Sequence, residues 1–289
     1  MLERVELSGE DAGRYFYAHV PPGEALPLVL AFHGGGSTPL DMSRFCHLTE
    51  LAQRRRFAVV FPAGSGPSPE YLTWNAGICC GHASRREVDD VGFATRLLDS
   101  LLDRYDVNPA RVYATGMSNG GMFCYRLAAA LPNRIAAIAP VAGCLAFEPE
   151  PLPRVVPALH IHGTADHFVP YDGGGGARSL RQIEFPSVHD SLTHWADACG
   201  LPSIEPQYQQ IPYDRALAND QRLDAHRAIY ATQHGVDQMV EIRITGGGHT
   251  WPGEAPPWCF LGASLLGLSA SELIWQFLAQ FFCTNRSSE

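Results

Sequence analysis

The stretch that decides the fold is "RVYATGMSNGGMFCYRLAAAL", residues 111–131. It begins with the apolar and β-branched residues of a strand and ends with helix-forming residues. Between them, "GMSNGG" places small or polar residues around one serine, Ser118. A residue at a sharp strand-to-helix turn needs small neighbours, because a Cβ there would collide with the adjoining elements, and Gly116 and Gly120 leave that room. The pattern therefore predicts an exposed Ser118 at the start of a helix, where developing negative charge is stabilised.

The sequence on both sides repeats this alternation of strands and helices. Continuous apolar runs such as "LPLVLAFHGGG", "FAVVFPAG", "IAAIAPVAG" and "ALHIHG" are typical of buried parallel strands, and "QMVEIRI" predicts a last strand. "GRYFYAHVP" alternates like an edge strand. Strands alternating with helices favour an α/β fold with a mostly parallel central sheet, helices on both faces and no large separate cap domain. We expect one domain over 1–289, with loop excursions near 62–88 and 171–237.

The composition alone argues against several partners and excludes several chemistries. The chain has 289 residues and a formal net charge of -9, which argues against nucleic acid or an anionic membrane as a partner. All 21 basic residues are Arg, so no Lys is present for a Schiff base, a Ser-Lys pair or a P-loop. No apolar run reaches the roughly 18 residues of a membrane span, and the N-terminus has no signal-peptide core. We therefore expect a cytoplasmic protein as written, or a secreted or periplasmic one if a signal was trimmed.

The eight cysteines show no CxxC spacing for zinc. Most are expected to be small buried apolar residues. Cys79 and Cys80 could bond to each other or to Cys259, although two buried thiols are the commoner arrangement.

A serine hydroxyl needs a base to accept its proton and a third group to orient that base. When the serine lies in a G-x-S-x-G turn between a strand and a helix, as Ser118 does, these partners come later in the chain in the order acid, then His. Asp166 follows the strand "ALHIHG", and His249 follows the last strand after three glycines. Asp172 and Asp190 compete with Asp166, but surface or helix-cap roles explain them better. The order predicts Ser118 as nucleophile, Asp166 as acid and His249 as base, with no cofactor and no metal.

The transition state of such a reaction also needs donors for an oxyanion. "AFHGGG" follows an earlier strand and offers the backbone N–H of Gly35 or of Gly36, and the turn itself offers the N–H of Asn119. Glycine allows the backbone to approach a substrate closely. The sequence does not choose between Gly35 and Gly36.

Six motifs together resemble those of the polyhydroxybutyrate depolymerase-like esterases, which are grouped with the feruloyl and acetylxylan esterases of carbohydrate esterase family 1. The motifs are "HGGG", "WNAGICCG", "VDDVGF", "ATGMSNGG", "HGTADHFVPY" and "GGGHTWPG". The resemblance implies an α/β-hydrolase fold and a serine carboxylesterase. It maps the same triad onto Ser118, Asp166 and His249, and it maps Trp74 and Trp251 to substrate-binding positions near the mouth of the site. Implied substrates are small-molecule or polymeric esters: hydroxyalkanoate oligomers, feruloyl or acetyl esters, and aryl polyesters.

Two other functions compete with this interpretation. The chain could be an α/β-hydrolase scaffold that binds a ligand and has lost activity. Alternatively, His160, His162, Asp166 and His167 in "HIHGTADH" resemble the ligands of dinuclear zinc hydrolases, although three residues rather than one separate the second His from the Asp. His160 and His162 also share one face of a predicted buried strand, where core hydrogen bonding is their ordinary role.

Overall fold

The computed structural model describes residues 2–176, 183–218, 220 and 222–283. Its strands are β1 Glu3–Glu6, β2 Tyr15–His19, β3 Leu26–Phe32, β4 Ala58–Pro62, β5 Ser65–Ser68, β6 Tyr71–Thr73, β7 Val107–Met117, β8 Ala137–Val141, β9 Ala158–Gly163, β10 Gly174–Gly175, β11 Glu184–Phe185, β12 Gln209–Gln210, β13 Asp224–Gln233 and β14 Val236–Thr245. Its helices are α1 Pro39–Cys46, α2 Leu48–Arg55, α3 Gly81–Arg85, α4 Asp90–Arg104, α5 Asn119–Ala130, α6 Val188–Ala198 and α7 Ala270–Leu278. Two short 3-10 helices span Gly9–Asp11 and Cys259–Leu261.

Ten strands form the central sheet in the order β1-β2-β4-β3-β7-β8-β9-β14-β13-β12. The six strands from β4 to β14 run parallel, and an antiparallel pair extends the sheet on each side. The carboxyl ends of the parallel strands meet at one edge, which is where ligands bind in open α/β sheets. The loops after β3, β7, β9 and β14 therefore lie together.

Helices cover both faces of this sheet, as the sequence predicts. Alternate side chains of β3 enter opposite layers: Leu28 and Leu30 pack with α4, α5 and α6, whereas Val29 and Ala31 pack with α1, α2 and α7. This double burial explains the continuous apolar runs. The described residues include no separate cap domain, and none of their helices is long and apolar enough to span a bilayer.

Two strand predictions need correction. The "GRYFYAHVP" strand, β2, is not at the edge, because β1 pairs outside it with Glu6 opposite Tyr15. The loop excursion expected near 171–237 contains a ten-residue strand, β13, that pairs antiparallel with β14. Most of the buried residues of β13 are alanines, and register shifts near Tyr230 interrupt its alternation, so the sequence shows no clear period of two. Part of the predicted excursion near 171–237, residues 177–182, 219 and 221, lies outside the described residues.

The loop excursion near 62–88 contains the β5–β6 hairpin and α3. Within it, Cys79 and Cys80 form a disulfide with each other, whereas two free thiols are the arrangement expected from sequence. Cys79 is buried, and Cys259, the alternative partner, is exposed and free. The disulfide therefore links adjacent residues of one loop and joins no two elements.

Candidate active site

Ser118 lies at the turn between β7 and α5 with φ 56° and ψ -123°, a conformation that side-chain-bearing residues rarely adopt. The flanking glycines make this turn possible. A Cβ on Gly116 would lie 2.7 Å from the carbonyl oxygen of Phe32, and one on Gly120 would lie 2.5 Å from the carbonyl oxygen of His33. The turn is thus pressed against the end of β3, as the sequence pattern predicts.

Asp166 and His249 come together from the loops after β9 and β14. His249 Nδ1 lies 2.7 Å from Asp166 Oδ2, and because a carboxylate only accepts, the imidazole donates. The other carboxylate oxygen, Oδ1, accepts the backbone N–H groups of Phe168 at 2.8 Å and Val169 at 3.0 Å. Asp166 is thereby fixed at both oxygens, and Nε2 of His249 is left as the ring's acceptor.

The charge state of Asp166 follows from these contacts. Burial alone would raise its pKa, but the charge of His249 and hydrogen bonds from His162 and His249 outweigh burial and hold the pKa of Asp166 well below its usual range. The group is therefore a carboxylate at neutral pH. The competing aspartates do not reach this position, since Asp172 is exposed and Asp190 accepts the Ser187 hydroxyl beside the start of α6.

Ser118 and His249 line the same pocket, which has a volume of about 420 Å³. Gly34 and Gly35 form one wall of it. The pocket is otherwise mostly apolar, with these side chains contributing: Met42, Phe45, Met117, Trp258 and Leu261. A small number of polar groups converging in an apolar pocket is the usual form of a small-molecule site.

The hydrogen bonds of the "HGGG" loop distinguish its two candidate donors. The N–H of Gly36 already donates to the carbonyl of Leu72 at 2.8 Å, so it is not available to a substrate. Gly35 lines the pocket, and an added Cβ on it would lie 3.5 Å from Cβ of Asn119. The N–H of Asn119 is the first of a helix and has no acceptor within that helix. The geometry therefore favours Gly35 and Asn119 as the pair of donors over Gly36.

His33 holds the loop that carries Gly35. Its Nδ1 donates to the carbonyl of Gly34 at 2.8 Å, and its Nε2 accepts the N–H of Gly64 at 3.0 Å. Burial lowers the pKa of His33 to about 4 from the ordinary 6.5. The imidazole is therefore neutral at pH 7, which is the state that these two partners require.

The substrate-binding roles expected for Trp74 and Trp251 are wrong, because both indoles are 0% exposed. Trp74 donates its indole N–H to the carbonyl of His33 at 3.1 Å and stacks on Phe123. Trp251 donates to the hydroxyl of Ser271 at 3.0 Å on α7. Both therefore pack in the core, where they support the loops of the site.

Sequence reasoning missed three other aromatic residues beside the site, of which Trp258 lines the pocket. Trp258 is 58% exposed and Phe260 is 48% exposed, and their rings stack 5.7 Å apart at 9°. Phe168 lies between Phe260 and the imidazole of His249, at 6.2 Å and 5.1 Å. The available signal was "PPWCFLG", a proline-rich loop with two aromatics shortly after His249. We refer to Phe168, Trp258 and Phe260 as the aromatic surface.

The residues of the zinc alternative do not converge as ligands. His160 and His162 are buried and bond to each other, whereas His167 is exposed. Across the part of the chain that the structure describes, no three His, Cys, Asp or Glu side chains are grouped so as to hold a metal ion. The side chains of His160, His162 and Asp166 are committed to internal hydrogen bonds.

This fold, with a serine at the strand-to-helix turn, is an α/β-hydrolase fold, and the family and relatives that follow place the chain among the serine ester hydrolases. The family model described as esterase PHB depolymerase matches residues 15–160, about half of the chain. The chain belongs to this family, so the predicted family, fold class and enzyme class are confirmed.

Individual relatives agree with this assignment. NocK of Nocardia uniformis subsp. tsuyamanensis, which is named as an esterase, is 29% identical over 92% of this chain and 79% of its own length. A bifunctional acetylxylan esterase/xylanase of Neocallimastix patriciarum is 31% identical over 67% of this chain, which spans only 27% of that protein. The acetyl xylan esterase structure from Aspergillus awamori superposes with a TM-score of 0.61 over 96% of this chain and 99% of that one, at 14% identity. That last likeness is one of fold.

Proposed function

We propose that Ser118, His249 and Asp166 hydrolyse carboxylic esters through an acyl-enzyme. The observation that carries the proposal is the 2.7 Å hydrogen bond between His249 and Asp166 beside a pocket that both His249 and Ser118 line. A hydrogen-bonded base and acid next to a serine at a strained turn form the arrangement that activates a hydroxyl.

In the first half of the reaction, Ser118 Oγ attacks the ester carbonyl carbon while His249 Nε2 takes the hydroxyl proton. The resulting oxyanion accepts hydrogen bonds from the backbone N–H groups of Gly35 and Asn119. The imidazolium is stabilised by the carboxylate of Asp166, and it passes its proton to the leaving alkoxide as the C–O bond breaks. The alcohol departs and an acyl group remains on Ser118.

In the second half, His249 takes a proton from water, whose oxygen attacks the acyl carbonyl. The same two N–H groups hold the second oxyanion. When the intermediate collapses, the proton returns from His249 to Ser118 Oγ and the carboxylic acid is released. Atoms and charge balance with water alone, so the cycle needs no cofactor.

The substrate that fits this site best is an uncharged ester with an aromatic or extended apolar group. The pocket is lined mostly by apolar side chains, and the stacked rings of Trp258 and Phe260 extend that character to the surface. Flat rings bind other flat groups and repeating apolar chains by stacking and burial. Feruloyl esters, aryl polyesters and hydroxyalkanoate oligomers meet this description, and the acetylxylan substrate named for the Neocallimastix relative supports short acetyl esters as well.

Two linked measurements test the mechanism. The first is hydrolysis of p-nitrophenyl acetate and butyrate, methyl ferulate, acetylated xylan and hydroxybutyrate oligomers by the parent, by Ser118→Ala and by Ser203→Ala, which alters an exposed serine as a control. The second is labelling by a fluorophosphonate, with the modified peptide identified by mass spectrometry. Loss of all activity and labelling in Ser118→Ala alone is the expected result. An unlabelled, inactive parent would instead support a ligand-binding scaffold.

The aromatic surface is tested by comparing Trp258→Ala with Phe282→Ala. Phe282 serves as the control because it is 60% exposed and lies away from the pocket. The next residue, Cys283, donates its N–H to the carbonyl of Ala110 near the start of β7, whereas Ser118 follows the end of that strand. We expect Trp258→Ala to raise KM for methyl ferulate and for oligomers by about 2- to 10-fold, as the loss of one stacking contact implies, with p-nitrophenyl acetate little affected. If Trp258→Ala changed KM by the same factor for methyl ferulate, the oligomers and p-nitrophenyl acetate, or left all three unchanged, this substrate preference would be contradicted.

A further inference from the structure

A chain of buried polar side chains runs from Asp166 into the core on the side away from the pocket. Tyr125 Oη on α5 lies 3.0 Å from His160 Nδ1, and His160 Nε2 lies 3.0 Å from His162 Nδ1 on the same face of β9. His162 Nε2 lies 2.9 Å from the carbonyl oxygen of Val169 and 3.3 Å from Asp166 Oδ2. Tyr125, His160 and His162 are each at most 1% exposed. The hydrolysis steps use none of these three side chains.

The direction of each hydrogen bond follows from the last acceptor. A carbonyl oxygen never donates, so His162 carries a proton on Nε2. In a neutral ring Nδ1 is then unprotonated, and it accepts from a protonated Nε2 of His160. His160 Nδ1 in turn accepts from the hydroxyl of Tyr125. Each imidazole has a single tautomer that satisfies both of its neighbours.

Burial, together with the neighbouring His162, lowers the pKa of His160 well below its usual range. That ring is therefore neutral at pH 7, so the tautomer assigned to His160 above applies there. The two imidazole rings also lie nearly parallel, at 7° with centroids 5.2 Å apart.

We infer that His162 is a positioning residue for Asp166, and that His160 and Tyr125 hold it in the tautomer that places an N–H beside the carboxylate. The inference rests on the proposed function of Asp166 and His249. The Nε2–H of His162 donates to the carbonyl of Val169 and also lies beside Oδ2 of Asp166, at 3.3 Å, the same oxygen that accepts the N–H of His249. The positive end of that N–H dipole, next to the oxygen, offsets part of its negative charge and so weakens its stabilisation of a protonated His249. His162 thereby eases proton release from His249 without touching the substrate.

Other ionisable groups face this chain and belong to the same electrostatic environment. Cys144 lies close enough to Asp166 that the carboxylate, after burial, contributes to raising the pKa of its thiol. Tyr171 contacts the ring of His162 edge-on at 6.1 Å, and it also donates to Glu241 on β14. Glu241 pairs in register with His160, and Arg243 pairs with His162.

Glu241 is held by three tyrosines rather than by the histidines. Its oxygens accept the hydroxyls of Tyr171, Tyr208 and Tyr230, the last two at 2.8 and 2.9 Å. Burial is the largest cause that raises the pKa of Tyr230, followed by the charge of Glu241. The carboxylate of Glu241 thus accepts its hydrogen bonds from neutral tyrosine hydroxyls rather than from the imidazoles of His160 and His162.

The first test reads the tautomers directly in the parent protein. Nitrogen NMR shifts of the imidazoles report which nitrogen carries the proton, and we expect Nε2–H for both His160 and His162 at pH 7. An Nδ1–H tautomer of His162 would overturn the inference, because such a ring places no N–H beside the carboxylate of Asp166. This measurement needs neither a substrate nor a variant.

The second test compares His162→Leu with His162→Gln. Both substitutions remove the ring, but Gln can place an amide N–H near the position of Nε2. We expect the midpoint of the His249 imidazole titration, followed by NMR, to move up by at least about 0.5 pH unit in the Leu variant and to stay near the parental value in the Gln variant. The pH dependence of fluorophosphonate labelling at Ser118 should move by the same amount.

The outcomes separate this inference from the proposed function. If the parent is not labelled at Ser118, the proposed function fails, and the NMR titration still reports the coupling between His162 and His249. If labelling is normal but the Leu and Gln variants shift equally, or the midpoint falls in the Leu variant, His162 only packs. If His162→Leu does not fold, the inference is tested by the tautomers of the parent protein and by the titration midpoint of His249 in the His162→Gln variant. An Nδ1–H tautomer of His162 in the parent would then overturn it.

Discussion

The side chain of Asn119 holds the backbone of Trp74 by two hydrogen bonds. Its Oδ1 accepts the N–H of Trp74 at 2.7 Å, and its Nδ2 donates to the carbonyl of Trp74 at 2.9 Å. The residue whose main chain is proposed to donate to the oxyanion therefore also joins the start of α5 to the loop after β6. Because both groups of Trp74 are buried, the side chain of Asn119 has a structural role that is separate from its N–H.

Asn119→Ala should leave two buried backbone groups of Trp74 unpaired, at a cost of about 1–3 kcal/mol for each. We expect a clear decrease in the free energy of unfolding, measured by urea denaturation. Asn119→Asp keeps the acceptor for the N–H but places an oxygen against the carbonyl of Trp74, so it should be at least as unstable. A parental urea midpoint in both variants would contradict the role of this clamp.

Gly120→Ala and Gly35→Ala form a matched pair within the site. A Cβ on Gly120 would meet the carbonyl of His33 at 2.5 Å, whereas one on Gly35 would make an ordinary contact of 3.5 Å with Asn119. We expect Gly120→Ala to lose about 3 kcal/mol or more, as overpacking against backbone implies, and Gly35→Ala to remain close to the parent in thermal denaturation. Equal melting temperatures would show that the turn can relax.

Asp166→Asn should lower kcat by about 10⁴-fold while the protein stays folded. An amide can donate to Nδ1 of His249, which would move the ring's proton to Nε2 and remove the acceptor that Ser118 needs. Steady-state hydrolysis of p-nitrophenyl acetate measures the effect. Asp172→Asn, which alters the exposed neighbouring aspartate, should retain parental kcat; a comparable loss there would contradict the assignment of the acid.

His33 should make stability depend on pH in the acid range. Because burial lowers its pKa to about 4, the unfolded chain binds the proton first as pH falls through 6.5. The stability that His33 contributes is therefore complete above pH 6.5 and is lost towards pH 4, by roughly 3 kcal/mol in all. Urea unfolding at a series of pH values measures this slope. In His33→Asn, which can still donate to Gly34 but takes up no proton, the slope should be shallower.

The sequence predicted the parts of the site that depend on chain order. Ser118, Asp166 and His249 each follow a strand, and the carboxyl ends of parallel strands must share one edge, so their proximity follows from topology. The alternation of apolar runs with amphipathic stretches likewise predicted the double-layered sheet. What remained open depended on contacts between distant segments. The N–H of Gly36 is occupied only because Leu72 of β6 folds back onto it.

The tryptophans illustrate the same limit. Trp74, Trp251 and Trp258 are the same residue type in loops of similar composition, yet two are fully buried and the third is 58% exposed. Burial of an indole depends on what packs over it: Phe123 and His33 cover Trp74, and Ser271 of α7 pairs with Trp251. Each of these three partners lies at least 20 residues from its tryptophan in the sequence.

The position of Phe168 constrains how this enzyme could change during evolution. Phe168 lies two residues after Asp166, its N–H binds that carboxylate, and its ring lies beside both His249 and Phe260. Selection for a new ester would act first on the exposed rings, but a replacement that moves Phe168 would also disturb the orientation of the base. New substrate ranges should therefore arise more easily at Trp258, whose ring stacks on Phe260 and has no recorded bond to the acid, than at Phe168.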